Sequence, residues 1–181
     1  MQRIIGWLAA AIIITLIFGS VYVTLQQIGR HLANAAPAAA AAAQVQQLGS
    51  ETLTGPRLEL TADSGVFVIV FGADNQPAST TVTLHGEPPV LPAGVLQTAR
   101  TSGSDVVTWQ PEPGLRMAVV ARQAAGSVIV AGQSLKPFED SNRMSLLFLA
   151  AGWLGSMVVL AAAYAATAFT GRRQDGLRMI M

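Results

Sequence analysis

Two histidines, no cysteine and one Ser-x-Lys pair make up most of the reactive inventory of this 181-residue chain. His31 and His85 stand 54 residues apart, with no carboxylate spacing of the kind that builds a metal site. Ser134-Leu135-Lys136 has the order of a Ser–Lys dyad, in which an amine activates a hydroxyl. The pair falls where the chain turns into a long apolar stretch, and a lysine there is better used reaching toward lipid headgroups. Without cysteine there is no disulfide, thiolate metal site or Cys nucleophile. No catalytic, cofactor or metal residues are therefore expected, and the chain does not read as an enzyme. Arg100, Trp109 and Arg116 remain as ligand-binding candidates, since guanidinium groups beside an indole suit an anionic or aromatic small molecule. The alternative makes Trp109 a core or edge aromatic and both arginines solvated.

The elements that position these residues follow from an uneven distribution of charge. Charged residues make up 12% of the chain against about 25% in an ordinary soluble domain, and the mean hydropathy is +0.46. Residues 4–25 and 145–170, 22 and 26 long, contain no Asp, Glu, Lys or Arg. Each meets the length of about 20 apolar residues that a membrane helix needs. Trp7 and Tyr22 stand near opposite ends of the first, where amphipathic aromatics favour the interface. A cleaved signal peptide is the alternative, with Arg3 before the apolar run and Ala33-Asn34-Ala35 as small cleavage residues. The run is longer than such peptides use, which favours an uncleaved anchor. The second stretch ends at Gly171-Arg172-Arg173, and both tails are basic. The positive-inside rule then puts both termini in the cytoplasm and residues 26–144 outside the cell membrane. A net charge of +1 gives no field for nucleic acid. Small residues recur at helical spacing in the second stretch, Ala151 with Gly155, Gly152 with Ser156 and Ala161 with Ala165. Such pairs favour close helix packing in lipid, within the chain or in a homodimer.

Between the spans, residues 26–48 are rich in Ala and Gln, with six alanines at 38–43. They read as a helical stalk bent at Pro37, or as a flexible linker. Gly49-Ser50 and Gly55-Pro56 end it. Residues 57–60 suggest a short strand, 65–71 a buried one, and 79–84 its hairpin partner across the turn Asp74-Asn75-Gln76-Pro77. Residues 92–100 suggest a short helix, and 105–110, 115–123 and 127–133 three more strands. The expected fold class is α+β: two transmembrane helices flanking an antiparallel sheet domain with helical cover. The segments are a short tail and first span at 1–25, the stalk at 26–48, the outer domain at 49–140, the second span at 141–170 and a tail at 171–181.

Two segments carry a family resemblance: Leu91-Pro92-Ala93-Gly94-Val95-Leu96, and residues 126–139, with Val130-Ala131-Gly132-Gln133-Ser134-Leu135-Lys136-Pro137 at their centre. With the layout of residues 1–173, they resemble the extracytoplasmic PAS-like (PDC-type) sensor region of bacterial membrane-bound histidine kinases. Asp74-Asn75-Gln76-Pro77 departs from the Asp-x-x-Gly turn that the family often has. The resemblance implies a PAS-like sheet, a role in two-component signal transduction, and a pocket between sheet and covering helix. It brings no catalytic residue. Only 11 residues follow Thr170, too few for a HAMP linker, a phosphoacceptor helix or an ATP-binding domain. The expectation is a signal-input module without its own kinase, partnered by the lipid bilayer and by a second copy or a membrane signalling protein. An accessory or structural subunit of a membrane complex is the alternative, and a truncated kinase remnant a third reading.

Overall fold

A computed structural model describes residues 2–47 and 56–178. The fold is α+β, with a five-stranded antiparallel sheet and two long apolar helices of membrane-spanning length. Helix α1 covers Gln2–Gln47, so the stalk expected at residues 26–47 is helical through Pro37. Helix α3 covers Lys136–Arg178. Leu48 and the breaks expected at Gly49-Ser50 and Gly55 lie outside the described residues. The chain divides into two units, one formed by described residues up to 27 and from 141 onward, the other by 28–140.

In the first unit the two helices pack antiparallel. The Trp153 indole N–H donates to the Thr15 hydroxyl at 3.0 Å. Trp7 meets Tyr164 edge-on at 5.8 Å between ring centroids. A Cβ built on Gly152 would stand 3.0 Å from Phe18. Trp7, Ala11, Ile14 and Phe18 on one helix, and Leu149, Trp153, Ser156 and Leu160 on the other, are half-buried. Both sets follow the 4-3-4 spacing of a left-handed helix pair. Of the small pairs read from the sequence, Gly152 and Ser156 border this seam, while Ala151, Gly155, Ala161 and Ala165 are exposed. The remaining faces expose apolar side chains, Leu16 at 65% and Val159 at 69%. Water would penalise that surface, whereas lipid would not.

The second unit is built on the sheet β3-β2-β7-β6-β5. Its strands are β2 (Phe67–Phe71), β3 (Pro77–Thr80), β5 (Ser104–Glu112), β6 (Leu115–Ala124) and β7 (Ser127–Ser134). The final strand β7 is inserted between β2 and β6. One face of the sheet carries Phe67, Ile69 and Phe71, with Val119 and Ala121 of β6 and Val128 and Val130 of β7. It is covered by α2 (Ala93–Ser102) through Leu96 and Ala99. Pro92 precedes that helix, and Gly103 ends it at φ +83 in the left-handed conformation. The other face carries Ile129 and Ala131, covered by the stalk through Ala41 with Ala40 and Val45. Ala33, Pro37, Ala41 and Gln44 are the buried stalk positions. Their 4-4-3 spacing lays one narrow face of small side chains on the sheet.

The strand expected at residues 79–84 is two strands, and this is a correction. Residues 77–80 pair with β2, whereas β4 (Val82–Thr83) pairs in parallel with β1 (Leu58–Glu59) in a separate two-stranded sheet. Threonine chemistry makes the break. Thr80 Oγ1 donates to the Val82 carbonyl at 2.8 Å and accepts from the Val82 amide at 3.1 Å, while Thr81 Oγ1 accepts from the Val68 amide at 3.0 Å. Side chains that satisfy nearby backbone groups let the ladder stop and turn.

The junction from β7 into α3 accounts for its sequence. A Cβ on Gly132 would lie 2.5 Å from the Phe67 ring and 3.0 Å from the Ala118 carbonyl, so only glycine fits without displacement. Ser134 donates to the Ala62 carbonyl and accepts from the Lys136 amide. The Leu135 amide donates to the Arg116 carbonyl at 2.9 Å. Pro137 falls in the first turn of α3, where no helical N–H is needed.

Candidate functional site

The three ligand candidates do not converge. Arg100, in the last turn of α2, is spent on backbone and turn groups: it donates to the Gly72 carbonyl at 2.6 Å, to the Gly126 carbonyl at 2.8 Å and to Asn75 Oδ1 at 3.1 Å. It thereby ties the β2–β3 turn, where Asn75 has φ +61, to the β6–β7 turn formed by Ala125 and Gly126. Trp109 lies toward the opposite end of the sheet, opposite Met117 and 6% exposed. Arg116 precedes Met117 on β6, so alternation turns it to the other face, where it pairs with Glu139 at the start of α3. Lys136, expected to reach for headgroups, pairs with Asp63 at 3.2 Å. Ser134 is bonded to backbone, so the Ser–Lys dyad does not form.

Trp109 does line a cleft, of about 570 Å³. Its walls are Leu84, the segment Pro88-Pro89-Val90-Leu91-Pro92, and Trp109-Gln110-Pro111. The sequence explains the shape. Three prolines within five residues keep residues 88–92 out of helix and sheet, so Pro89 and Leu91 anchor in the interior while Val90 is 67% exposed. Across the cleft, the β5–β6 pairing shifts register between Trp109 and Glu112, and this bulge carries Pro111 to the rim.

Charged groups gather beside these walls. His85, at φ +56 in a turn with Gly86, sets its ring Nε2 against a Glu112 carboxylate oxygen. Glu59, placed by the β1–β4 pair, accepts from the Thr83 hydroxyl at 2.7 Å and from the backbone amides of His85 and Gly86. The Thr83 hydrogen bond first, then the His85 amide, hold the Glu59 carboxyl below the usual glutamate range against a smaller opposing effect of desolvation. This cluster is absent from the sequence reading. Glu59, His85 and Glu112 are separated by 26 and 27 residues, and only the turns bring them together.

The arrangement suits binding. The cleft walls are apolar apart from the Gln110 amide and the Trp109 indole N–H. Among the described residues no group of three His, Cys, Asp or Glu is set to hold a metal ion. No family model, curated protein or solved structure matches the chain.

Proposed function

We propose that this chain is a membrane-anchored signal-input module whose sheet domain, residues 56–140, lies outside the cell membrane and reports to a separate partner. One observation carries the reading: both helices that lead to the apolar spans are fastened to the same strand. The stalk packs Ala41 on Ile129 and Ala131 of β7, and the Gln133 side chain of β7 donates to the Ala33 carbonyl at 2.9 Å. The same strand passes through Leu135 into α3. A ligand or partner that shifts β7 therefore acts on the stalk and on α3 together. A stimulus works this way only by binding one arrangement better than the other. The five-stranded antiparallel sheet, with α2 on one face and the stalk on the other, is in keeping with the PAS-like, histidine-kinase-related reading of this domain, and the apolar runs with basic tails favour a multi-pass inner-membrane location with both termini cytoplasmic.

Crosslinking in native membranes, followed by purification of the full chain, tests the role. Recovery of a histidine kinase or a response-regulator system is the expected result. Stoichiometric recovery within a transporter or respiratory assembly overturns it in favour of an accessory subunit.

A further inference from the structure

The sheet ends at β5, and this edge is unusually open. At nine residues it is more than twice as long as β3, the opposite edge strand. Natural edges are blunted with lysine, proline, bulges or short length. Here the bulge and Pro111 come only at the end beside the cleft. Toward the start, Asp105 accepts from the Val106 amide at 2.9 Å, which marks that N–H as directed away from β6. Alternation places the amide of Thr108 on the same outer side. Among the described residues no strand pairs with that side, and Val106, Thr108 and Gln110 are exposed.

The edge runs directly into the cleft, because Trp109, Gln110 and Pro111 belong to both. Charge is one-sided there. β5 holds Asp105 and Glu112 and no lysine or arginine, and Glu87 adjoins the proline wall. Of the neighbouring basic groups, the His85 ring already sits on Glu112, Arg116 pairs with Glu139 and Lys136 with Asp63, and Arg122 stands opposite Ser104 at the far end of the strand.

We propose that the outer edge of β5 and the proline-walled cleft together take an extended segment of a partner protein, apolar residues alternating with lysine or arginine, by strand addition. Backbone groups of the segment pair with Thr108. An apolar side chain enters the cleft against Trp109 and Pro89, and a basic one meets Glu87 beside the proline wall. Main-chain bonds supply affinity and the pocket supplies selectivity, as in other strand-addition complexes. This goes beyond the signal-input role and stands or falls separately from the crosslinking result.

The test uses the full chain in nanodiscs of phosphatidylcholine, which do not attract basic peptides, with empty nanodiscs as the blank. A fluorescent peptide alternating lysine with valine or leucine is titrated by anisotropy. Saturable binding is expected. It should weaken by about tenfold or more, the loss of one to two hydrogen bonds, when alternate peptide amides are N-methylated. Thr108→Pro, which removes the edge donor, should do the same. The N-methylated peptide keeps the test independent of how that variant folds. Absence of binding, equal binding of the N-methylated peptide, or equal binding of a glutamate-for-lysine peptide overturns the proposal. So does an oligomer of the full chain that Thr108→Pro dissociates, because the edge would then hold a second copy.

Discussion

Glu59 and Arg100 show how single side chains hold the irregular parts of the sheet unit. The folded-state carboxyl of Glu59 is held below its unfolded value, so its contribution is present above the unfolded glutamate range and is lost as pH falls through the folded one. An NMR titration should find Glu59 ionising at lower pH than an ordinary glutamate, and Thr83→Val should move it back up, since the Thr83 hydroxyl is the largest cause. Arg100 donates to groups from two separate turns. Arg100→Ala leaves those acceptors to water or to nothing and should cost about 1–3 kcal/mol in chemical denaturation. Arg100→Lys should recover little of it, because an ammonium cannot match the planar fork that reaches both turns.

Among the elements, the stalk offers the sharpest case. Pro37 has no N–H, so the helix cannot satisfy the Ala33 carbonyl four residues back. Gln133 supplies that missing donor from β7. A residue that breaks the helix ladder thus creates the place where the sheet grips the helix. Gln133→Leu should destabilise the chain by about 1–3 kcal/mol by leaving a buried carbonyl unpaired. In a Pro37→Ala background, where the helix bonds its own carbonyl, the same substitution should cost less. A double-mutant cycle reads the difference as a coupling energy, and additivity would show that Pro37 and Gln133 act separately.

For the whole molecule, the apolar surface of the two helices decides the environment. Side chains such as Leu16, Val158 and Val159 are exposed beyond half, so the full chain should remain in the membrane pellet after alkaline carbonate extraction. On the proposed topology, tags at either end should be protected from protease added to intact spheroplasts, while a site placed in residues 56–140 is cut. Cleavage at a terminal tag would reverse the orientation. Residues 26–144 hold only 16 charged residues in 119, in keeping with the proposed use of the β5 edge by a partner.

The amino-acid sequence by itself determined the two apolar helices, because a run of 22 or 26 uncharged residues has few alternatives in water or lipid. It also determined most strands and the short helix at residues 92–100, all of which depend on local periodicity and backbone freedom. Residues 79–84 suggest a single ladder by their alternation of threonine with apolar residues, whereas the threonine hydroxyls bond the backbone and divide the strand. Only the tertiary structure decided which residues meet. Arg100, Trp109 and Arg116 are close in sequence, but strand direction and alternation send them to different ends and faces of the sheet. Glu59, His85 and Glu112 are far apart in sequence, but a parallel strand pair and two turns assemble them beside the cleft. Local propensity acts over a few residues, whereas a site is a set of long-range contacts, and those arise only when the sheet order β3-β2-β7-β6-β5 closes.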